Sequence, residues 1–140
     1  MKLIDAFNLA ETLHRGQVDK AGEPYILHCV RVMLRLPPDA SETERMAALL
    51  HDAIEDVPGA ISIMGEAGVP DEVMAMCIAL TRIEGEAYPE FLDRVAASTA
   101  KRVKLADIYD NSDATRLAKL ASDTAARLCK KYENAATRIR

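Results

Sequence analysis

The feature that most constrains the fold is an apolar run that leads directly into a cluster of ionisable residues. Residues 47–57 read AALLHDAIEDV. A surface helix would spread charges around its outer face, whereas this run must be buried. The ionisable residues that follow it are His51, Asp52, Glu55 and Asp56. We therefore expect these four side chains to line the floor of a cleft.

Helical spacing would bring the members of this cluster together. Residues three and four apart are neighbours on a helix, which pairs His51 with Glu55 and Asp52 with Asp56. Imidazole and carboxylate ligands suit a divalent cation, and crowded carboxylates repel one another unless a cation or a raised pKa relieves them. The alternative is a solvated helix end with a histidine at the boundary of the core. Further ligands from distant residues would favour the metal site.

Composition favours a single helical domain. A chain of 140 residues is long enough to bury a core and falls within the size of one domain. Apolar residues make up 49% of the chain, but aromatic residues only 4%, and Trp is absent. A composition dominated by Ala, Leu and Met favours helices over strands. We expect an all-α, single-domain helical bundle that spans residues 1–140.

The distribution of charge and the number of cysteines limit which partners the protein is expected to bind and in which cell compartment it is expected to lie. Residues 1–100 carry 17 acidic and 8 basic side chains, against 5 and 10 in residues 101–140. Without a stripe of basic and aromatic residues, neither nucleic acid nor a membrane is an expected partner. The N-terminal segment does not read as a signal peptide, and no apolar run approaches the roughly 18 residues of a membrane span. Three scattered cysteines suit reduced thiols in a cytoplasmic protein.

Hydrophobic periodicity and capping residues predict a succession of helices. Ser41 and Glu44 form a capping box at the start of the helix that carries the ionisable cluster. The polar loop over residues 16–24 is of the kind that carries binding residues. The predicted helices cover residues 3–15, 25–36, 42–56, 60–66, 70–80, 88–95, 101–111 and 125–139.

Two residues outside the central cluster could complete a ligand set. His28 lies on the preceding helix, which an antiparallel hairpin can place beside His51. Asp107 is an isolated acid flanked by apolar residues, and burying it is costly unless it is paired or coordinates a cation. Together with His51 and Asp52, these two residues would form a site of two imidazoles and two carboxylates with room for water.

The order H…HD…D resembles the signature of HD-domain metal-dependent phosphohydrolases. A closer resemblance is to the hydrolase domain of RelA/SpoT-type enzymes and to the small alarmone hydrolases. It rests on the segments HRGQVDKAGEPYILH (14–28), ALLHDAIEDV (48–57) and VKLADIYDN (103–111) and extends over roughly residues 3 to 139. The resemblance implies an HD-type helical bundle. It also implies that His28, His51, Asp52 and Asp107 are metal ligands, usually of Mn²⁺.

The resemblance implies further roles in catalysis and substrate binding. Glu55 and Asp56 match the ED motif, which in that family positions and deprotonates the attacking water. Lys20 matches a basic residue near the nucleotide, and Asn111 matches an asparagine that contacts the substrate. The implied reaction removes the 3′-pyrophosphate of ppGpp or pppGpp and gives GDP or GTP and pyrophosphate.

Three departures from the family pattern leave the substrate open. Asp19 stands where the family often has a basic residue, and Ala114 replaces a threonine. Residues 106–111, which include Asp110, read ADIYDN where the long enzymes of the family read ADRxHN. Loss of a cation beside the nucleotide would redirect substrate choice. The alternatives are another nucleotide, such as an adenine alarmone or an NADPH-type phosphate, and a weakly catalytic nucleotide-binding module. The oligomeric state stays open.

Overall fold

A helical bundle forms the whole of the described fold, apart from one isolated β-bridge between Val18 and Pro24. The computed structural model describes residues 1–140 except for the side chain of Ala114. Its helices are α1 (Leu3–Leu13), α2 (Tyr25–Leu34), α3 (Glu42–Leu50), α4 (Ala53–Asp56), α5 (Ala60–Glu66), α6 (Asp71–Ala79), α7 (Tyr88–Ala96), α8 (Lys101–Asn111), α9 (Ala114–Leu117) and α10 (Ser122–Ile139). The predicted all-α fold is confirmed.

The apolar run of the sequence forms the centre of the bundle. Residues 46–50 of α3 are each at most 5% exposed, and α3 packs against α1, α2, α6 and α8. The predicted capping box starts this helix, because Ser41 Oγ accepts from the Glu44 amide at 3.1 Å and Glu44 Oε2 accepts from the Ser41 amide at 2.8 Å. Helix α10 packs against α7 and α8 on the other side of the molecule.

The predicted continuous helix over residues 42–56 is wrong, because it breaks at His51 and Asp52. Helix α3 ends at Leu50 and α4 begins at Ala53. Adjacent residues on a regular helix do not face each other. In the turn, however, His51 Nε2 lies 3.0 Å from Asp52 Oδ2. The break therefore lets two consecutive side chains reach the same point.

A short helix, α9, occupies a segment for which the sequence analysis predicted no helix. The Asp113 carboxylate accepts hydrogen bonds from the amides of Thr115 and Arg116 at 2.9 and 3.2 Å, which starts this helix. Helix α10 begins at Ser122, three residues before the predicted start. Among the described residues, no helix is both long and apolar enough to cross a lipid bilayer.

Candidate metal centre and active-site cavity

Four side chains from three parts of the chain converge at one point. His28 lies on α2, His51 and Asp52 lie in the turn between α3 and α4, and Asp107 lies on α8. One donor atom of each residue lies within 4.8 Å of the other three. Asp107 Oδ1 is 3.0 Å from His28 Nε2 and 3.3 Å from His51 Nε2. The structure thus brings all four predicted ligands together.

Both imidazole rings are oriented by hydrogen bonds at the nitrogen that faces away from the cluster. His51 Nδ1 lies 2.6 Å from the Ala48 carbonyl oxygen, which can only accept a hydrogen bond. His28 Nδ1 lies 2.7 Å from Asp110 Oδ2. With the proton on Nδ1, each ring directs the Nε2 lone pair to the cluster, which is the usual arrangement of metal-binding histidines. The donor set therefore fits a divalent cation.

The two carboxylates of the cluster are ionised although they lie inside the protein. Burial raises the pKa of Asp52, but the charge and hydrogen bond of His51 and the charge of His28 together outweigh this effect and lower the pKa to about 2. Burial likewise opposes the ionisation of Asp107, whereas Lys104 and His51 hold its pKa well below the ordinary value. Buried negative charge is costly unless it is balanced. A divalent cation between the four donors would balance it.

Three more polar side chains hold the carboxylates in place. The Tyr25 hydroxyl donates to Asp52 Oδ2. Lys104 Nζ donates to Asp107 Oδ2 at 2.7 Å, and Asn111 Nδ2 donates to Asp107 Oδ1 at 3.1 Å. Asn111 was predicted to bind substrate, and it lies at the cavity wall next to a predicted metal ligand.

Glu55 and Asp56 lie on α4 at the edge of the same cavity. Gln17 Nε2 donates to Asp56 Oδ2 at 3.0 Å, and Gln17 Oε1 lies 2.8 Å from His14 Nδ1. The loop after α1 therefore holds Asp56. Partial burial raises the pKa of Glu55, and the charges of Asp52 and Asp56 raise it further. A carboxylate with a raised pKa is a better proton acceptor for a general base at neutral pH.

The donor cluster opens into a polar cavity of about 550 Å³. Four cationic side chains line this cavity together with Asp52, Glu55, Asp56 and Asp107; they are Lys20, Arg82, Lys104 and Lys131. A second cavity of about 270 Å³ shares part of its wall with the first and adds apolar residues such as Leu117 and Leu128. One polar and one more apolar compartment next to a cation site suit the phosphates and the base of a nucleotide.

Asp19 is a structural residue of the loop between α1 and α2. Its Oδ1 accepts from the amides of Ala21 and Glu23 at 2.8 and 3.0 Å. Its Oδ2 accepts from Arg116 Nη2 at 2.9 Å, and the side chain is only 5% exposed. The neighbouring Lys20 lines both cavities. Asp19, one of the three departures from the family pattern, therefore stabilises the conformation of this loop, and Lys20 supplies the positive charge of the loop at the cavities. The departure at Ala114 concerns a side chain outside the described residues.

Comparison with family models decides the assignment. The model described as "HD domain" matches residues 6–107, a range that includes all four donor residues. The chain belongs to the HD-domain family. This finding and the relatives described next confirm the resemblance drawn from the sequence.

This HD domain is similar to part of several long proteins. It is 47% identical over 58 residues to "Bifunctional (p)ppGpp synthase/hydrolase SpoT" of Escherichia coli (strain K12), a match that covers 41% of the chain and 8% of that protein. It is 44% identical over 55 residues to "Probable GTP diphosphokinase RSH3, chloroplastic" of Arabidopsis thaliana, which covers 39% of the chain and 8% of that protein. The matches thus span less than a tenth of the length of these relatives.

A solved structure has the same fold over nearly the whole chain. It is described as "A metazoan ortholog of SpoT hydrolyzes ppGpp and plays a role in starvation responses". The TM-score is 0.79 at 23% sequence identity, and the match covers 99% of this chain and 85% of that one. The predicted HD-type helical bundle is confirmed by this likeness.

Sequence reasoning missed several polar residues around the donors of the HD domain. Tyr25 and Lys104 lie inside the segments that carry the resemblance, so their positions were a usable signal. Arg82 had no such signal, since it lies in the connection between α6 and α7. Lys131 belongs to the basic face of α10, whose residues would ordinarily be assigned to solvent, but its ammonium lies 5.2 Å from the ring centre of Tyr88 at the cavity.

Proposed function

We propose that this HD domain is a metal-dependent phosphohydrolase that removes the 3′-pyrophosphate from ppGpp or pppGpp. The observation that carries the proposal is the set of four donors within 4.8 Å of one another at the wall of a cavity with four cationic side chains. Cationic side chains bind the negatively charged phosphates of such a substrate. Catalysis of phosphoryl transfer depends chiefly on positioning the reacting groups and on stabilising the negative charge of the transition state. The similarity to proteins named for (p)ppGpp hydrolysis supports the choice of nucleotide.

We propose Mn²⁺ as the cation, held by His28, His51, Asp52 and Asp107. Two imidazoles and two carboxylates form a donor set of intermediate hardness, which suits Mn²⁺ and similar ions. A divalent cation bound there polarises a phosphoryl oxygen and lowers the pKa of water. The donor atoms of these four residues and the family to which the chain belongs support the proposed roles.

Glu55 is the proposed general base, and Asp56 assists it. Glu55 would take a proton from the attacking water at its carboxylate oxygen, a function that its raised pKa supports. The water oxygen forms a bond to the phosphorus next to the 3′ oxygen of the ribose. The bond between that phosphorus and the 3′ oxygen breaks, and the 3′ oxygen leaves as a hydroxyl group after taking up one proton.

The proposed substrate contacts come from the cations of the cavity and from Asn111. Lys20, Arg82 and Lys131 would bind phosphate oxygens by charge-assisted hydrogen bonds. Asn111 would use its amide toward the ribose side of the nucleotide, since it lines both cavities. The loop that carries Lys20 has one cation fewer than the family pattern, because Asp19 stands at a position that is often basic and accepts a hydrogen bond from Arg116. A nucleotide with another base is therefore a second candidate substrate.

Product analysis after incubation with ppGpp and Mn²⁺ tests the proposal. We expect equal amounts of GDP and pyrophosphate, loss of product after chelation, and no product with Asp107→Asn. Asp71→Asn, an exposed acid on α6, is the matched control and should retain the full rate. ppGpp that stays intact while an adenine alarmone or NADPH is dephosphorylated would favour the second candidate. If the protein binds the nucleotide but hydrolyses it in the presence of none of the metals tested, the proposal of a hydrolase is refuted.

We further propose that residues 1–140 act as one HD domain in the cytoplasm. The three cysteines are free thiols, two of which are buried. Free thiols suit a reducing compartment. Alkylation of the protein in freshly opened cells, followed by mass spectrometry, should find these thiols reduced, and disulfide-linked peptides would contradict this location.

A further inference from the structure

Asp110 is a fully buried carboxylate at the end of α8, with 0% exposure. Arg31 Nε and Arg35 Nε donate to its Oδ1 at 3.0 and 3.1 Å, and Arg116 Nη1 donates to its Oδ2 at 2.8 Å. The same Oδ2 lies 2.7 Å from His28 Nδ1. A buried carboxylate is costly in free energy unless such partners offset the loss of water. One buried carboxylate is thus shared by three guanidinium groups and one imidazole ring.

We propose that Asp110 is a positioning residue that fixes the orientation and the proton of His28 for cation binding. The inference rests on the proposed function, because it takes His28 to be a ligand. A carboxylate at Nδ1 accepts the ring proton there. Nε2 lies 3.0 Å from Asp107 Oδ1, so a cation that takes the place of the proton between these two atoms would meet the Nε2 lone pair. A carboxylate partner also makes the imidazole a stronger donor to a metal.

The two histidines of the cluster differ in this respect. His51 Nδ1 faces a neutral carbonyl oxygen, that of Ala48, whereas His28 Nδ1 faces a charged carboxylate. His28 is therefore the ligand whose strength depends on a removable side-chain charge. Replacing that charge by a neutral amide would make the environment of His28 similar to that of His51, so cation binding should weaken and not vanish.

The three arginines determine the position of the carboxylate. Arg31 lies one turn after His28 on α2, and Arg35 directly follows the last residue of this helix, so the ion pairs also hold α2 against α8. Arg116 bridges Asp110 and Asp19 with its two terminal nitrogens, at 2.8 and 2.9 Å. The buried carboxylate thus connects a metal ligand to the loop that carries Lys20.

Titration of the metal-free protein with Mn²⁺, with free Mn²⁺ measured by electron paramagnetic resonance, tests the inference. Asp110→Asn should raise the Kd for Mn²⁺ by about 10- to 100-fold, the usual effect of removing such a partner. Asp113→Asn is the matched control, because Asp113 pairs with the same Arg35 at 2.8 Å but contacts no ligand. The control should change the Kd by less than about twofold, which is within the range of surface ion pairs.

The outcomes separate this inference from the proposed function. Wild-type protein that binds no Mn²⁺ would overturn both. Wild-type binding with an unchanged Kd in a folded Asp110→Asn protein would overturn the role of Asp110 alone. If Asp110→Asn does not fold, ¹⁵N nuclear magnetic resonance of the wild-type histidine rings decides, at a pH where His28 is neutral. A proton on Nδ1 of His28 supports the inference, and a proton on Nε2 overturns it.

Discussion

A divalent cation should raise the melting temperature of the protein by an amount that can be calculated. The four donors lie within 4.8 Å of one another in the folded chain, and an unfolded chain has no such cluster, so the cation stabilises the native state. At a Mn²⁺ concentration of about 100 times Kd, the gain in unfolding free energy is about 2.7 kcal/mol. With 140 residues and about 2.1 cal/mol/K of unfolding entropy per residue, the melting temperature should rise by about 9 °C.

Calorimetry in EDTA and in excess Mn²⁺ measures this rise. His28→Gln and His51→Gln should abolish it, because each removes one of the donors. His14→Gln is the matched control, since His14 is also buried, at 2% exposure, but lies outside the donor cluster. It should lower the melting temperature in EDTA and keep the full rise with Mn²⁺. An equal rise in wild type and His51→Gln would refute the reasoning.

The rise should also depend on pH in a defined direction. Burial lowers the pKa of His28 and of His51, but the carboxylates around them outweigh burial and raise both above the ordinary value. Below these raised pKa values, protons compete with the cation for the ring nitrogens. The Mn²⁺-dependent rise should be full above them and disappear as the pH falls through them. An identical rise at about pH 9 and about pH 5 would contradict this expectation.

The remaining predictions concern catalysis and stability. Glu55→Gln should lower kcat by about 10²- to 10⁴-fold with an unchanged Mn²⁺ content, as steady-state rates and metal analysis would show, because it removes the proton acceptor. Lys104→Met should lower kcat/KM by about 10- to 100-fold in the same assay, because Asp107 loses the hydrogen bond from Lys104 Nζ that holds it as a metal ligand. Glu44→Gln should lower the free energy of unfolding in urea by about 1 kcal/mol at neutral pH, whereas Glu42→Gln, in the same turn, should leave it nearly unchanged. Hydrogen bonds from Arg102 outweigh burial and lower the pKa of Glu44 from 4.5 to about 2. The contribution of Glu44 to the free energy of unfolding is therefore present above about pH 4.5 and is lost as the pH falls to about 2. A destabilisation by Glu44→Gln that is equal at neutral pH and at a pH of about 2 would contradict this expectation.

The donor residues could be predicted because the sequence shows ionisable residues at positions that must be buried, where an unpaired charge costs free energy. Asp107 stands alone among apolar neighbours, and His51 and Asp52 follow a run that must be buried. Burying such groups requires partners, and ordinary helix hairpins bring His28 within reach. The helical architecture could be predicted for a similar reason, because apolar periodicity and the capping box at Ser41 are local signals.

The residues that support the donors could not be predicted from local signals. Asp110 accepts from Arg35, which lies 75 residues earlier in the chain, and Asp19 accepts from Arg116, 97 residues later. Such pairs depend on how α2, α8 and the loop pack, which no local pattern encodes. The break between α3 and α4 was missed because residues 42–56 have good helical spacing throughout, while the ring of His51 bonds to the preceding turn. Tertiary contacts therefore decide the positions of Asp19 and Asp110, and a local side-chain hydrogen bond accompanies the break at His51.

The central claim is that four side chains from three segments of the chain hold one cation. Diffraction from a crystal grown with Mn²⁺, measured at the manganese absorption edge, tests it most directly. We expect a single anomalous peak between His28, His51, Asp52 and Asp107, at about 2.0–2.4 Å from each donor atom. No peak at this position, or a cation bound elsewhere on the chain, would contradict the account.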